Sequence, residues 1–178
     1  MIRKSLIAAL AVALSACGGP TGPRAPAHPS QSQATATGET RQVQISAENR
    51  AGVENNIRDL LTQAAGQFAA GAVPIPGVED VLTAIQPGTD HQYQVALTGG
   101  TAYVFVGACD ADCSNVDLEL LDGGTGAVVG SDLLDDDYPV VQYTPASNAN
   151  YFVRIILRTC TQAPCYVGAR GLQAPAGK

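Results

Sequence analysis

Cys109-Asp110-Ala111-Asp112-Cys113-Ser114-Asn115-Val116-Asp117-Leu118-Glu119-Leu120-Leu121-Asp122 holds two cysteines, five acids and a strict apolar/acidic alternation from Val116 to Leu120. A period of two marks a β-strand with one inward face. Further short runs of this kind predict strands near 81–86, 92–97, 102–108, 115–121, 127–130, 140–144, 151–158 and 166–171. Turn signals such as Pro87-Gly88, Gly99-Gly100, Asp122-Gly123-Gly124 and Ala163-Pro164 separate them. In 151–158, Tyr151, Val153, Ile155 and Leu157 point one way while Arg154 and Arg158 point the other, as in a strand with one wet face. The expected fold is mainly β, a single antiparallel, jelly-roll-like β-sandwich of about eight short strands.

One amphipathic helix precedes it. Val53, Ile57, Leu60, Leu61, Ala64 and Phe68 fall on one helical face, with Asn55, Asn56, Arg58, Asp59, Thr62 and Gln63 opposite. Ser46 suits an N-cap, Glu48 the first turn, and Gly71 a stop. The stripe predicts packing on the sheet. A partner-binding helix is the alternative; a membrane-lying one lacks the basic polar face it would need.

Residues 1–17 are laid out as an export signal, with Arg3 and Lys4 ahead of a short apolar run from Leu6 to Leu14. That run is too short to span a bilayer. It ends in Leu14-Ser15-Ala16-Cys17, which matches the bacterial lipobox and looks like a lipoprotein signal. The resemblance implies diacylglyceryl and amide-linked acyl groups (palmitate among them) on Cys17, and the Gly at position 18 favours an outer membrane over retention at the inner one. An ordinary secretory signal cut near Ala13 or Ala16, or an uncleaved anchor, is the alternative. Residues 18–40 are Pro, Gly, Ser, Thr, Gln and Ala with almost no large apolar side chain, so they predict a disordered tether spanning roughly 25–30 Å as a flexible coil. The predicted division is 1–17 signal, 18–40 tether, 41–77 helix and connector, and 78–178 sandwich.

Once Arg3 and Lys4 leave with the signal, 16 acids face 8 bases, a net charge of −8. That balance repels phosphate backbones and excludes nucleic acid as a natural partner. With no Trp and 5% aromatic residues, a sugar-stacking platform is disfavoured too.

Apart from Cys17, four cysteines remain. An even number in an exported chain predicts disulfides, although three connectivities are open. Cys109–Cys113 and Cys160–Cys165 are expected, because each pair brackets a polar turn between strands. Four-thiolate zinc and thiol redox chemistry lack their usual paired spacings. Asp110, Asp112, Asp117, Glu119, Asp122, Asp132, Asp135, Asp136 and Asp137 place nine carboxylates and no base in residues 110–137. Crowded carboxylates suit Ca²⁺, and Asp110, Asp112, Asp117, Asp132, Asp135 and Asp136 are the candidate calcium ligands. The spacing is not that of an EF-hand, and the alternative is a solvated acidic edge that discourages strand pairing. For a hydrolase, the folded region offers only His91, beside Asp90, and no nucleophile elbow. No catalytic residue is assigned.

Tyr93-Gln94-Val95-Ala96-Leu97, Gly99-Gly100-Thr101-Ala102-Tyr103, Val116-Asp117-Leu118-Glu119-Leu120 and Tyr151-Phe152-Val153-Arg154-Ile155 resemble the bacterial pre-peptidase C-terminal domain. The chain also looks like uncharacterised exported bacterial proteins in which a helix precedes such a sandwich. The resemblance implies a small β-sandwich, in that family appended to secreted peptidases. No catalytic domain is expected ahead of it here. The expectation is a lipid-anchored protein of the cell envelope with a non-catalytic binding or structural role, its partners the membrane and an envelope or extracellular-matrix protein. A calcium-dependent adhesion module is the alternative, and a secreted hydrolase the third.

Overall fold

The computed structural model describes residues 22–175. It is mainly β with one helix. In chain order the elements are β1 (Arg41–Gln42), α1 (Ala47–Phe68), β2 (Val73–Pro74), β3 (Val81–Ile85), β4 (Thr89–Leu97), β5 (Tyr103–Cys109), β6 (Cys113–Asp122), β7 (Val128–Asp132), β8 (Val140–Tyr143), β9 (Ala149–Cys160), β10 (Gln162–Ala163) and β11 (Cys165–Gln173). The eight strands read from alternation are β3–β9 and β11. The others are two-residue pairings, too short to carry a period.

Two antiparallel sheets face one another. One runs β2-β11-β5-β8, with β3 beside β2 on the same flank of β11; the other runs β4-β9-β6-β7. From β3 to β9 each successive strand changes sheet except at the β6–β7 hairpin. Such alternation is jelly-roll-like and closes one core between the sheets. Phe105, Val116, Leu118, Leu120, Val153, Ile155, Leu157 and Val167 fill it, all fully buried.

The helix lies on the outer side of the β5–β11 sheet. The Ser46 hydroxyl accepts the Asn49 N–H at 3.3 Å, and the helix ends before Gly71, which adopts φ 81°. Ile57, Leu61 and Ala64 bury against Val106, Ala108, Tyr166 and Leu172. Gly168 allows this approach, since a Cβ there would stand 2.6 Å from the Ile57 side chain. Each of the larger apolar side chains so buried contributes about 1.5–3 kcal/mol.

Cys109 is bonded to Cys113 and Cys160 to Cys165, with Cα–Cα distances of 5.9 and 6.0 Å, both within the ordinary span. Each bond ties a strand of one sheet to a strand of the other. Cys113 also stands opposite Cys160 in the β6–β9 register. The two staples therefore sit side by side at one end of the core.

The opposite sheet carries a cover that composition concealed. Residues 24–37, expected to belong to a free tether, lie across β4, β9, β6 and β7. The Ala25 N–H donates to Gln92 on β4, the Ser32 N–H to Glu119 on β6, and the Thr37 N–H to the Arg158 carbonyl on β9, while Ser30 Oγ accepts the Val128 N–H on β7. This strap then continues through β1, which pairs in parallel with β10, into α1. At its crossing of the β6–β7 turn, Gly126 (φ 75°) is required, because any Cβ there would collide with the Pro26 carbonyl. A chain without large apolar side chains is held because the sheet supplies polar partners for its backbone.

Candidate functional site

The register that builds the second sheet also builds a charged row on its outer surface. Gln92, Arg154, Glu119 and Ser131 stand opposite one another across β4, β9, β6 and β7. Arg154 Nη1 donates to Glu119 Oε2 at 2.8 Å and to the Ser32 carbonyl of the strap at 2.8 Å. Its Nε lies 3.2 Å from Asp90 Oδ2, which also pairs with Arg24 of the strap at 2.6 Å. Further along the same two strands and on the same face, Arg158 Nε pairs with Asp117 Oδ2 at 2.6 Å, while its Nη1 and Nη2 donate to the Gln33 carbonyl and to Ser32 Oγ.

Glu119 is 1% exposed, Asp117 2% and Arg154 6%. Arg154 and Arg158 therefore do not sit on a wet face, and Asp117 and Glu119 do not form a solvated edge. The strap shields Asp117, Glu119 and Arg154 from water and covers most of Arg158, whose side chain is 14% exposed. Burial alone would raise the Asp90 carboxyl, but the Arg154 and Arg24 guanidiniums hold it below the usual range. For Asp117 burial wins over Arg158, with Glu119 and Asp132 adding repulsion, and its carboxyl is pushed up. Burial would lower Arg154, yet Asp90 and Glu119 raise it and keep it charged.

The six acids expected to share a calcium ion are dispersed. Asp110 accepts the Tyr166 and Asp112 N–H groups in the turn closed by Cys109 and Cys113, and burial raises its carboxyl. Asp112 accepts from Gln162, Asp117 from Arg158, Asp132 from the Val140 N–H, Asp135 from Asn115, and Asp136 from the Tyr138 N–H. Among the described residues no three metal-ligating side chains converge. Backbone N–H groups, the Gln162 and Asn115 amides and one cross-strand arginine thus take up the carboxylates that crowding in sequence had suggested for a cation. His91 is half-buried on β4, and burial lowers its ring. Its neighbour Asp90 faces two arginines rather than the imidazole, so no triad geometry forms there.

An apolar concavity lies on the other side of the molecule. Leu60, Gln63, Ala64, Gln67 and Phe68 of α1, Ala108 of β5, and Asp137 and Tyr138 of the β7–β8 loop line a cleft of about 320 Å³. Phe68 and Tyr138 stack with ring centroids 6.4 Å apart. Tyr138 is 51% exposed, and Leu133 and Leu134 on the same loop are 49% and 67% exposed. The loop is fixed at its base: Asp136 accepts the Val116 N–H through its carbonyl, the Pro139 carbonyl accepts the Gly107 N–H, and Asn115 Nδ2 donates to Asp135 at 2.6 Å. The helical stripe pointed to Leu60 and Phe68. The loop escaped notice because its apolar residues flank three aspartates and follow no period.

Cys17 lies outside the described residues. Among the described residues no helix is long and apolar enough to cross a membrane. Compared with protein-family models and with curated proteins, the chain matches none.

Proposed function

We propose that the chain is a lipid-anchored cell-envelope protein whose β-sandwich binds a partner rather than catalysing a reaction. The observation that carries the binding role is the cleft between α1 and the β7–β8 loop, where half-exposed Tyr138 stacks on Phe68 beside the uncovered part of the helical stripe, with Leu133 and Leu134 exposed on the same loop. Exposed apolar groups clustered on a rigid scaffold mark interaction surfaces. The ionisable groups on the opposite sheet support the same reading, since Asp90, Asp117, Glu119, Arg154 and Arg158 are engaged in holding the strap.

The anchor rests on the lipobox ending at Cys17. The strap alters what such an anchor would do. From Cys17 to Arg24 there are seven residue steps, at most about 25 Å fully extended, against about 80 Å had all of 18–40 been free. The sandwich would ride close to the bilayer, in the outer membrane where the cell has two. The likeness to the pre-peptidase C-terminal domain supports a sandwich used as an accessory module. Membrane fractionation of wild type and Cys17→Ala tests the anchor. The variant is expected in the soluble fraction and the wild type with the membranes; identical fractionation, with no lipid label on the wild type, contradicts it.

A further inference from the structure

We propose that the cleft between α1 and the loop 133–139 docks a segment of another envelope protein that presents an apolar side chain flanked by lysine or arginine. The inference rests on the binding reading above and names the partner's chemistry. The seat is apolar, formed by Leu60, Ala64, Phe68, Ala108 and Tyr138. Its rim is negative, with Asp137 lining it and Asp135 and Asp136 preceding on the same loop. Among the described residues, no ion pair reaches these three aspartates, whereas Asp80, Asp90, Asp117 and Glu119 each have an arginine. No lysine or arginine lines the cleft.

An apolar seat beside uncompensated carboxylates is complementary to a cationic, apolar segment. The same charges count against the other occupants. A second copy would bring its own three aspartates against these, and an anionic bilayer would be repelled in the same way. The hydrogen bonds that fix the base of the loop leave little ordering to be lost on docking.

The test uses the chain from Gly18 to Lys178, which holds every described element, labelled with ¹⁵N. It is titrated with a short synthetic peptide of alternating lysine and leucine pairs. Two controls replace its lysines by glutamate or its leucines by serine. The expected result is a saturable set of amide shifts confined to 60–68 and 133–139, with a dissociation constant of about millimolar or tighter. Neither control peptide produces it. Asp135→Asn/Asp136→Asn/Asp137→Asn weakens binding about tenfold and Tyr138→Ser about fivefold. Both alter exposed or loop positions, and unchanged shifts elsewhere report an intact fold.

Absence of saturable shifts overturns the proposal. So does an equal response to either control, or indifference to the triple substitution. Movement of the same amides with phosphatidylglycerol vesicles, or with protein concentration alone, assigns the cleft to lipid or to self-association and likewise overturns it. Because the readout needs no lipid anchor, it is separate from the Cys17→Ala result.

Discussion

The two outer faces of the sandwich are covered by opposite means. On the β2-β11-β5-β8 sheet a 22-residue helix presses Ile57, Leu61 and Ala64 onto apolar strand residues. On the β4-β9-β6-β7 sheet an irregular strap lies over arginines and carboxylates, contributing backbone N–H and C=O groups where the helix contributes methyl groups. Both covers bury a sheet face. One draws on the hydrophobic effect, which tolerates small shifts, and the other on paired charges, which do not. The difference teaches that a stretch poor in large apolar residues can still be an integral layer when its partner face is polar.

Breaking the charged face should give the largest effect. Arg154→Ala leaves the buried Glu119 without its cation beneath the strap and Asp90 with Arg24 alone, and such a loss costs about 3–5 kcal/mol. A urea denaturation midpoint should fall accordingly, and the strap amides should lose protection together with it. Leu61→Ala attacks the other cover and should cost about 3 kcal/mol by cavity formation. Here the strap amides should exchange as in the wild type. If both substitutions loosened both covers equally, the two faces would not be independent.

Acid should act on the strap face selectively, with the smallest effect. The Asp90 carboxyl is held low by Arg154 and Arg24 against its burial, so its unfolded value, about 3.9, is the higher of the two. The stability it supplies is complete above about pH 4 and is lost as pH falls through its folded value. Asp117, pushed up by burial, works in reverse: ionising it costs the folded state as pH rises past about 3.9. Thermal melting of Asp90→Asn between pH 2.5 and 7 should therefore show a flatter acid limb than wild type. An unchanged limb would remove Asp90 from the strap's support.

The sandwich was legible because inward residues such as Val116, Leu118, Leu120, Val153 and Ile155 keep a strict period of two. The helix was legible for the corresponding reason at a period near 3.6. The strap was not, since its hold comes from main-chain groups that every sequence possesses and from scattered polar side chains such as Arg24, Ser30 and Ser32 that follow no period. A trace of it did stand in the strands. Leu121, Phe152 and Ile156 occupy the outward register beside Arg154 and Arg158, yet are 0%, 5% and 0% exposed. Doublets such as Leu120-Leu121 and Ile155-Ile156 are apolar on both faces and called for a cover. Two of the acids hid their partners for a related reason: Glu119 and Asp117 pair with Arg154 and Arg158, 35 and 41 residues away in sequence but on the neighbouring strand. Both cysteine pairings were expected from spacing, but their joining of the two sheets followed only from the strand order. The cleft was half legible, through the helix alone.

Native-state amide exchange of residues 22–41 tests the central claim, that the supposed tether is a layer of the fold. The Ala25, Ser32, Thr37 and Arg41 N–H groups, which donate to Gln92, Glu119, Arg158 and Thr161, should exchange far more slowly than in an unstructured peptide, and Arg154→Ala should release the first three. Exchange of all four at the unstructured rate in the wild type would contradict it, and would return residues 24–37 to the free tether that their composition suggests.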